Sequence, residues 1–189
     1  MKPSSLQNLP AQAAQANRAN RAKSWSPLEH GGSVRRGRRK TRRPFDPKRP
    51  MHLVMRSSRA RGAWSFLHRR NKGGIHTLLV DLCVRYRVKL YRYENVGNHM
   101  HLIVRFPSRR ELKAFLRVFA QGVMFLVTGA RKGSPKGRFF DAIAYTRVVN
   151  WGREFKVLKN YLWKNALEAL CFSAGEIVRY RKIAASVPI

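Results

Sequence analysis

The sequence predicts an α+β fold: a four-stranded antiparallel sheet with two helices on one face, followed by one further helix. Three observations predict it. From Met51 onward, short stretches of two-residue apolar alternation are interleaved with stretches of helical spacing, in the order βαββαβα. Gly, Pro and Asn punctuate the junctions, at Gly73-Gly74, Gly97-Asn98 and Pro107. Apolar residues make up 44% of the 189, enough to fill the core of one domain of moderate size with appendages.

Residues 51–56 open the regular part as a strand, with Met51, Leu53 and Met55 on one side. Residues 59–71 are basic, carry Trp64, Phe66 and Leu67, and suit a short helix or a loop. Lys72-Gly73-Gly74 is expected to break the chain. Residues 75–86 then show helical spacing through Ile75, Leu78, Leu79, Leu82, Cys83 and Tyr86. Residues 88–93 read as a second strand, 94–98 as a turn, and 99–106 as a third strand that Pro107 stops. Ser108 with Glu111 three residues on is a capping-box signature. The helix it opens runs to about residue 127 on Leu112, Phe115, Leu116, Phe119, Val123 and Leu126. A Gly/Lys/Pro loop over 129–137 leads to a fourth strand at 139–149 and a third helix at 153–170. The first six elements are those of a ferredoxin-like split sheet.

Charge bounds the partner. Lys and Arg total 40 against 9 acidic residues, a formal net charge of +31. A folded chain this basic repels itself unless a polyanion neutralises it, and nucleic acid does so while releasing counterions. An anionic membrane surface is the competing reading. No apolar stretch reaches the length of a membrane span, and no apolar signal region opens the chain. The expectation is therefore a nucleic-acid partner, no membrane, and a cytoplasmic location. Cys83 and Cys171 sit in apolar runs without metal-type spacing and read as buried thiols in a reducing compartment.

Residues 1–49 hold 13 basic and 2 acidic residues, so +11 of the +31 lies there and +20 remains for the rest. They offer little to bury and read as a disordered basic arm. Its cluster Arg35, Arg36, Arg38, Arg39, Lys40, Arg42 and Arg43 suits phosphate contacts. Residues 50–170 form the expected domain, and 171–189 a C-terminal tail.

In the third strand Met100, Leu102, Val104 and Phe106 point one way, and His99, His101, Ile103 and Arg105 the other. If helices cover the first face, the two histidines stand together on the open one. Two imidazoles two residues apart can chelate a cation, although His-x-His alone also suits an incidental pair. Arg105, on the same face, suits a phosphate contact. In the last helix Phe155, Leu158, Leu162, Ala166 and Ala169 form the apolar stripe, with Tyr161 and Asn165 flanking it one turn apart. By position alone Tyr161 also suits a boundary residue with a packed ring and a wet hydroxyl. His52, His68 and His76 read as surface or DNA-facing. Trp25, Trp64 and Trp163 suit base stacking or, for the latter two, packing.

Asn98-His99-Met100-His101-Leu102-Ile103-Val104 followed by Tyr161-Leu162-Trp163-Lys164-Asn165 resembles the HUH transposases with a single catalytic tyrosine, most closely the REP-associated tyrosine transposases. The resemblance spans roughly residues 51–170 and includes the opening strand with His52 and Arg56. It departs from the family where Ala166 follows Asn165 in place of Pro, and where Gly97 precedes Asn98. The resemblance implies that His99, His101 and Asn165 bind a divalent metal, Mg²⁺ or Mn²⁺, and that Tyr161 is the nucleophile. It implies a single-stranded or hairpin DNA partner and a covalent 5′-phosphotyrosine intermediate, in a monomer or a homodimer. A non-catalytic DNA- or RNA-binding protein retaining the fold is the alternative.

Overall fold

The structure, a computed structural model, describes residues 28–32, 42–131, 133–134 and 136–170. Its strands are β1 (Glu29–His30), β2 (Met51–Arg56), β3 (Lys89–Asn95), β4 (His99–Arg105) and β5 (Tyr145–Val148). They form one sheet in the order β1-β5-β2-β4-β3, with every neighbouring pair antiparallel. The helices are α1 (Arg69–Arg85), α2 (Arg109–Thr128) and α3 (Arg153–Ala169). Apart from the added β1, order and direction are those of the split sheet expected from the sequence.

Alternation sorts the two faces of the sheet. Met51, Leu53, Met55, Met100, Leu102 and Val104 are buried against Ile75, Leu79 and Leu82 of α1 and Leu112, Phe115, Phe119 and Val123 of α2. This is the main core. A second, smaller cluster lies on the other face, where Ile103 and Val149 meet Leu158 and Leu162 of α3, with Tyr91 and Phe155 packed beside them. No helix among the described residues is long and apolar enough to cross a membrane.

The helix termini follow local chemistry. Ser108, extended at φ −148°, caps α2 by accepting from the Arg110 N–H at 3.1 Å, and its hydroxyl bonds the Glu111 carboxylate. Gly129 ends the helix at φ +65°, a conformation that costs glycine little. Inside α2, a Cβ at Gly122 would stand 2.6 Å from the Leu78 side chain, so the glycine permits close approach of α1.

Several expectations are corrected. α1 begins at Arg69 and runs through Gly73-Gly74, where a break was expected. The Asn71 side chain donates to the Ala63 and Ser65 carbonyls at 2.8 Å each, anchoring the first turn. Tertiary packing then carries the helix across the two glycines. The fourth strand, expected from residue 139, is only Tyr145–Val148. Its first part is instead a looped cover. Ser57 Oγ donates to the Phe139 carbonyl at 2.6 Å, and the Asp141 carboxylate accepts from the Ser58 N–H and hydroxyl at 2.8 Å each. The expectation of an arm without structure over residues 1–49 does not hold at Glu29–His30, which pair with Arg147 and Thr146 of β5. Residues 171–189, including Cys171, lie outside the described residues.

Candidate active site

β4 carries His99 and His101 on the face away from α1 and α2, and α3 crosses that face. The Tyr161 ring stands 6.3 Å from the His101 ring at 90°, edge to face. His99 and His101 are themselves edge to face at 4.7 Å. Tyr161 is half exposed at 52%. The apolar stripe of α3 sets this placement. Leu158 and Leu162 are buried on Ile103 and Val149, which turns Tyr161 toward the start of β4.

Both histidines are held through one ring nitrogen. His99 Nδ1 lies 2.6 Å from the Asn98 Oδ1, and His101 Nδ1 lies 3.1 Å from His52 Nε2. His101 is 5% exposed, and its Nε2 is buried without a hydrogen-bond partner. A buried imidazole nitrogen with nothing to bond is costly unless a ligand completes it. Burial lowers the pKa of His99, with the Arg56 charge adding to the effect. Burial lowers His101 to about 4, helped by His99, and His52 to about 3, helped by His101 and Arg147. All three rings are neutral at physiological pH, the state that ligates metals.

The remaining expected residues separate. Asn165 lies one turn beyond Tyr161, half-buried, with no side-chain hydrogen bond among the described residues, so its amide is free. Arg105 shares the face of the histidines but sits four residues from His101, roughly 13 Å along the strand. Arg43 donates to the Ala144 carbonyl at 2.9 Å and to Thr146 Oγ1 at 2.5 Å, tying the chain before β2 to β5. Arg42 is exposed, and Arg35, Arg36, Arg38, Arg39 and Lys40 lie outside the described residues. His52 corrects an expectation: it is buried, 7% exposed, and belongs to the histidine cluster. Alternation had the signal, since His52 must oppose Met51 and Leu53, which puts it on the face of His99 and His101. His76 is exposed, and His68 caps α1 by accepting from the Arg70 N–H at 3.3 Å. Burial pushes the half-buried Cys83 thiol up to about 11. Trp64 packs on Phe139 with Arg59 over its ring, while Trp151, not singled out from sequence, is exposed beside Tyr91 and Phe155.

No group of three His, Cys, Asp or Glu among the described residues is arranged to hold a metal ion. Glu94 is the cross-strand partner of His101, but its carboxylate is bound to Arg92 at 2.5 Å. The nitrogen donors left on that face are the Nε2 atoms of His99 and His101, whose Nδ1 atoms are engaged. The orphaned Nε2 of His101 fits a divalent cation.

The fold resembles that of a tyrosine transposase. The solved structure of a REP-associated tyrosine transposase bound to a REP hairpin superposes with a TM-score of 0.55 at 11% sequence identity, over 69% of this chain and 73% of that one. At that identity the likeness concerns the fold alone. No protein-family model matches the sequence, and no curated protein is similar to it.

Proposed function

We propose that this chain cuts single-stranded DNA, at or beside a hairpin, and rejoins strands by transesterification through Tyr161. The observation that carries the reading is the Tyr161 ring standing perpendicular to the His101 ring at 6.3 Å, beside a His99–His101 pair in which the buried Nε2 of His101 has no hydrogen-bond partner. The transposase-like fold and the charge of +31 support it.

His99 and His101 would hold a divalent metal, Mg²⁺ or Mn²⁺, with Asn165 of α3 as the further ligand. The bound cation supplies Lewis-acid polarisation of the scissile phosphate. The phenol oxygen of Tyr161 attacks the phosphorus, and the bond to the 3′ oxygen breaks. The phenol proton passes to solvent, and the departing 3′ oxygen gains a proton to become a free hydroxyl. The 5′ phosphate remains esterified to Tyr161. Attack by a 3′-hydroxyl on that ester reverses the step and joins strands, so the phosphodiester energy is conserved without a nucleotide cofactor. The basic surface holds the strand through its phosphates, which position it without reading sequence.

The test is a labelled hairpin incubated with the protein and Mn²⁺, then denatured. Label is expected on the protein band. Tyr161→Phe should lose that band yet still shift the hairpin in a native gel. An adduct that persists in the Phe variant, or hydrolysis that leaves the protein unlabelled, defeats the assignment. Binding without any cutting identifies a non-catalytic nucleic-acid-binding protein.

A further inference from the structure

We infer that His52 is a positioning residue for the proposed metal site: its Nε2 accepts the Nδ1–H of His101 and so keeps the Nε2 of His101 bare and aimed into the site. This rests on the metal-dependent reading above.

The geometry comes first. His52 and His101 are diagonal neighbours, since His52 pairs with Ile103 and His101 with Val54 across β2 and β4. Their ring planes lie within 10° of parallel, with centroids 5.3 Å apart. The linking nitrogens are 3.1 Å apart. The centroid separation is close to that nitrogen distance plus the two ring radii. The rings are therefore nearly coplanar and joined end to end, not stacked face on face, which is the alignment an in-plane N–H···N bond needs. One proton occupies the bond, because two neutral imidazoles cannot both donate along it.

Two arrangements of that proton remain. If His52 Nε2 donates, neutral His101 carries its hydrogen on Nε2, a buried donor with no acceptor in the described fold. If His101 Nδ1 donates, its Nε2 presents a lone pair to the site. The neighbouring histidine chooses between them. Asn98 Oδ1 is an acceptor, so His99 Nδ1 carries the hydrogen and His99 Nε2 is the bare nitrogen. The two rings lie edge to face with centroids 4.7 Å apart. Only the second arrangement gives them matching lone pairs, the form in which two histidines bind one cation.

The same bond settles what His52 is not. Its Nε2 is occupied by His101, so it is not a third ligand through that atom. Histidine ligands generally donate their other ring N–H to a fixed acceptor, which sets tautomer and orientation. Carboxylates and carbonyls usually fill that role. Here a buried histidine does, on a face where the nearest cross-strand carboxylate, Glu94, is taken by Arg92.

Two measurements test the inference. Long-range ¹H–¹⁵N spectra of the metal-free wild-type protein at neutral pH should show His101 as the Nδ1–H tautomer, with His52 Nε2 unprotonated. His101 in the Nε2–H form overturns the inference. Mn²⁺ affinity, followed by loss of the free-ion electron paramagnetic resonance signal, should fall roughly 10- to 100-fold in His52→Leu. His52→Gln, whose amide oxygen can reach the place of Nε2, should restore most of it. Equal affinity in wild type and His52→Leu also overturns the inference. If His101 shows the expected tautomer while wild type binds no Mn²⁺ even with a single strand bound, the metal-dependent function fails and the hydrogen bond assigned to His52 stands.

Discussion

Tyr161 is placed by a small part of the apolar interior, and that part can be removed selectively. α3 docks through Leu162 and Leu158, 0% and 5% exposed, onto Ile103 and Val149, on the opposite side of the sheet from the main core. Full burial of a leucine contributes about 1.5–3 kcal/mol, so the two leucines supply roughly 3–6 kcal/mol before ordering costs are subtracted. Leu162→Ala removes about 2–5 kcal/mol, because it loses transfer energy and leaves a cavity. A loss near 3 kcal/mol is a factor of about a hundred in the docking equilibrium. The main core shares none of these residues, so α3 should open as a local unit. Hydrogen exchange followed by mass spectrometry should show α3 amides exchanging about a hundredfold faster, with β4 amides unchanged. Adduct formation should fall in parallel, since Tyr161 no longer stays beside His101. Equal acceleration across α3 and β4, or none in α3, would refute the idea that the tyrosine helix is held independently of the core.

Three other outcomes are expected. His99→Ala and His101→Ala should each abolish Mn²⁺ binding in the presence of a single strand while leaving strand affinity within about threefold, because phosphate contacts supply that affinity; unchanged metal affinity in the double variant would remove the site. Replacing Arg35, Arg36, Arg38, Arg39 and Lys40 by Ser should lower the salt dependence of single-strand binding by about 0.7 per lost phosphate contact, with little change in preference between hairpin and unstructured DNA. Metal-free stability should fall as pH drops from 6.5 toward 4: His101 is lowered to about 4 and His52 to about 3, so the unfolded chain takes up protons first and gains by up to about 1.4 kcal/mol per pH unit for each ring. Urea midpoints at pH 7, 6, 5 and 4 check this, and a His52→Leu/His101→Leu variant with an undiminished slope would speak against it.

The face on which the candidate histidines lie was more legible in the sequence than the elements that support them. Alternation along residues 99–106 correctly separated Met100, Leu102 and Val104 from His99, His101 and Ile103, because one face of an antiparallel strand must fill a core. Ser108, Glu111 and Gly129 announced α2 because caps act locally. β1 carried no such signal: two residues have no periodicity, and Glu29–His30 become a strand only because β5 offers an edge. The start of α1 was hidden for the opposite reason. Gly73-Gly74 argues locally against a helix, and contacts of Asn71 with residues six and eight positions earlier outweigh it. His52 was readable by the same alternation as His101. What the sequence could not convey is that β2 and β4 pair in the register that joins the two rings.

The donors around the proposed metal impose a condition on how the site is used. His99, His101 and Asn165 are neutral, and Glu94, the carboxylate opposite His101, is neutralised by Arg92. A divalent cation entering this space gains two imidazole bonds but little charge compensation, inside a protein of net charge +31. Hard cations such as Mg²⁺ favour anionic oxygen over neutral nitrogen, so the histidines alone make a weak site. Under the proposed function, the missing anionic oxygen would come from the substrate. A scissile phosphate held by the basic surface would complete the coordination, and the metal would in turn draw that phosphate toward Tyr161. The same absence of carboxylates that keeps the empty site weak keeps it from repelling the phosphate. A Glu in place of Asn165 should therefore tighten Mn²⁺ binding to the free protein while weakening the gain in metal affinity that a bound strand brings. A strand that improves Mn²⁺ affinity equally in Asn165→Glu and wild type would show that the phosphate is not a ligand.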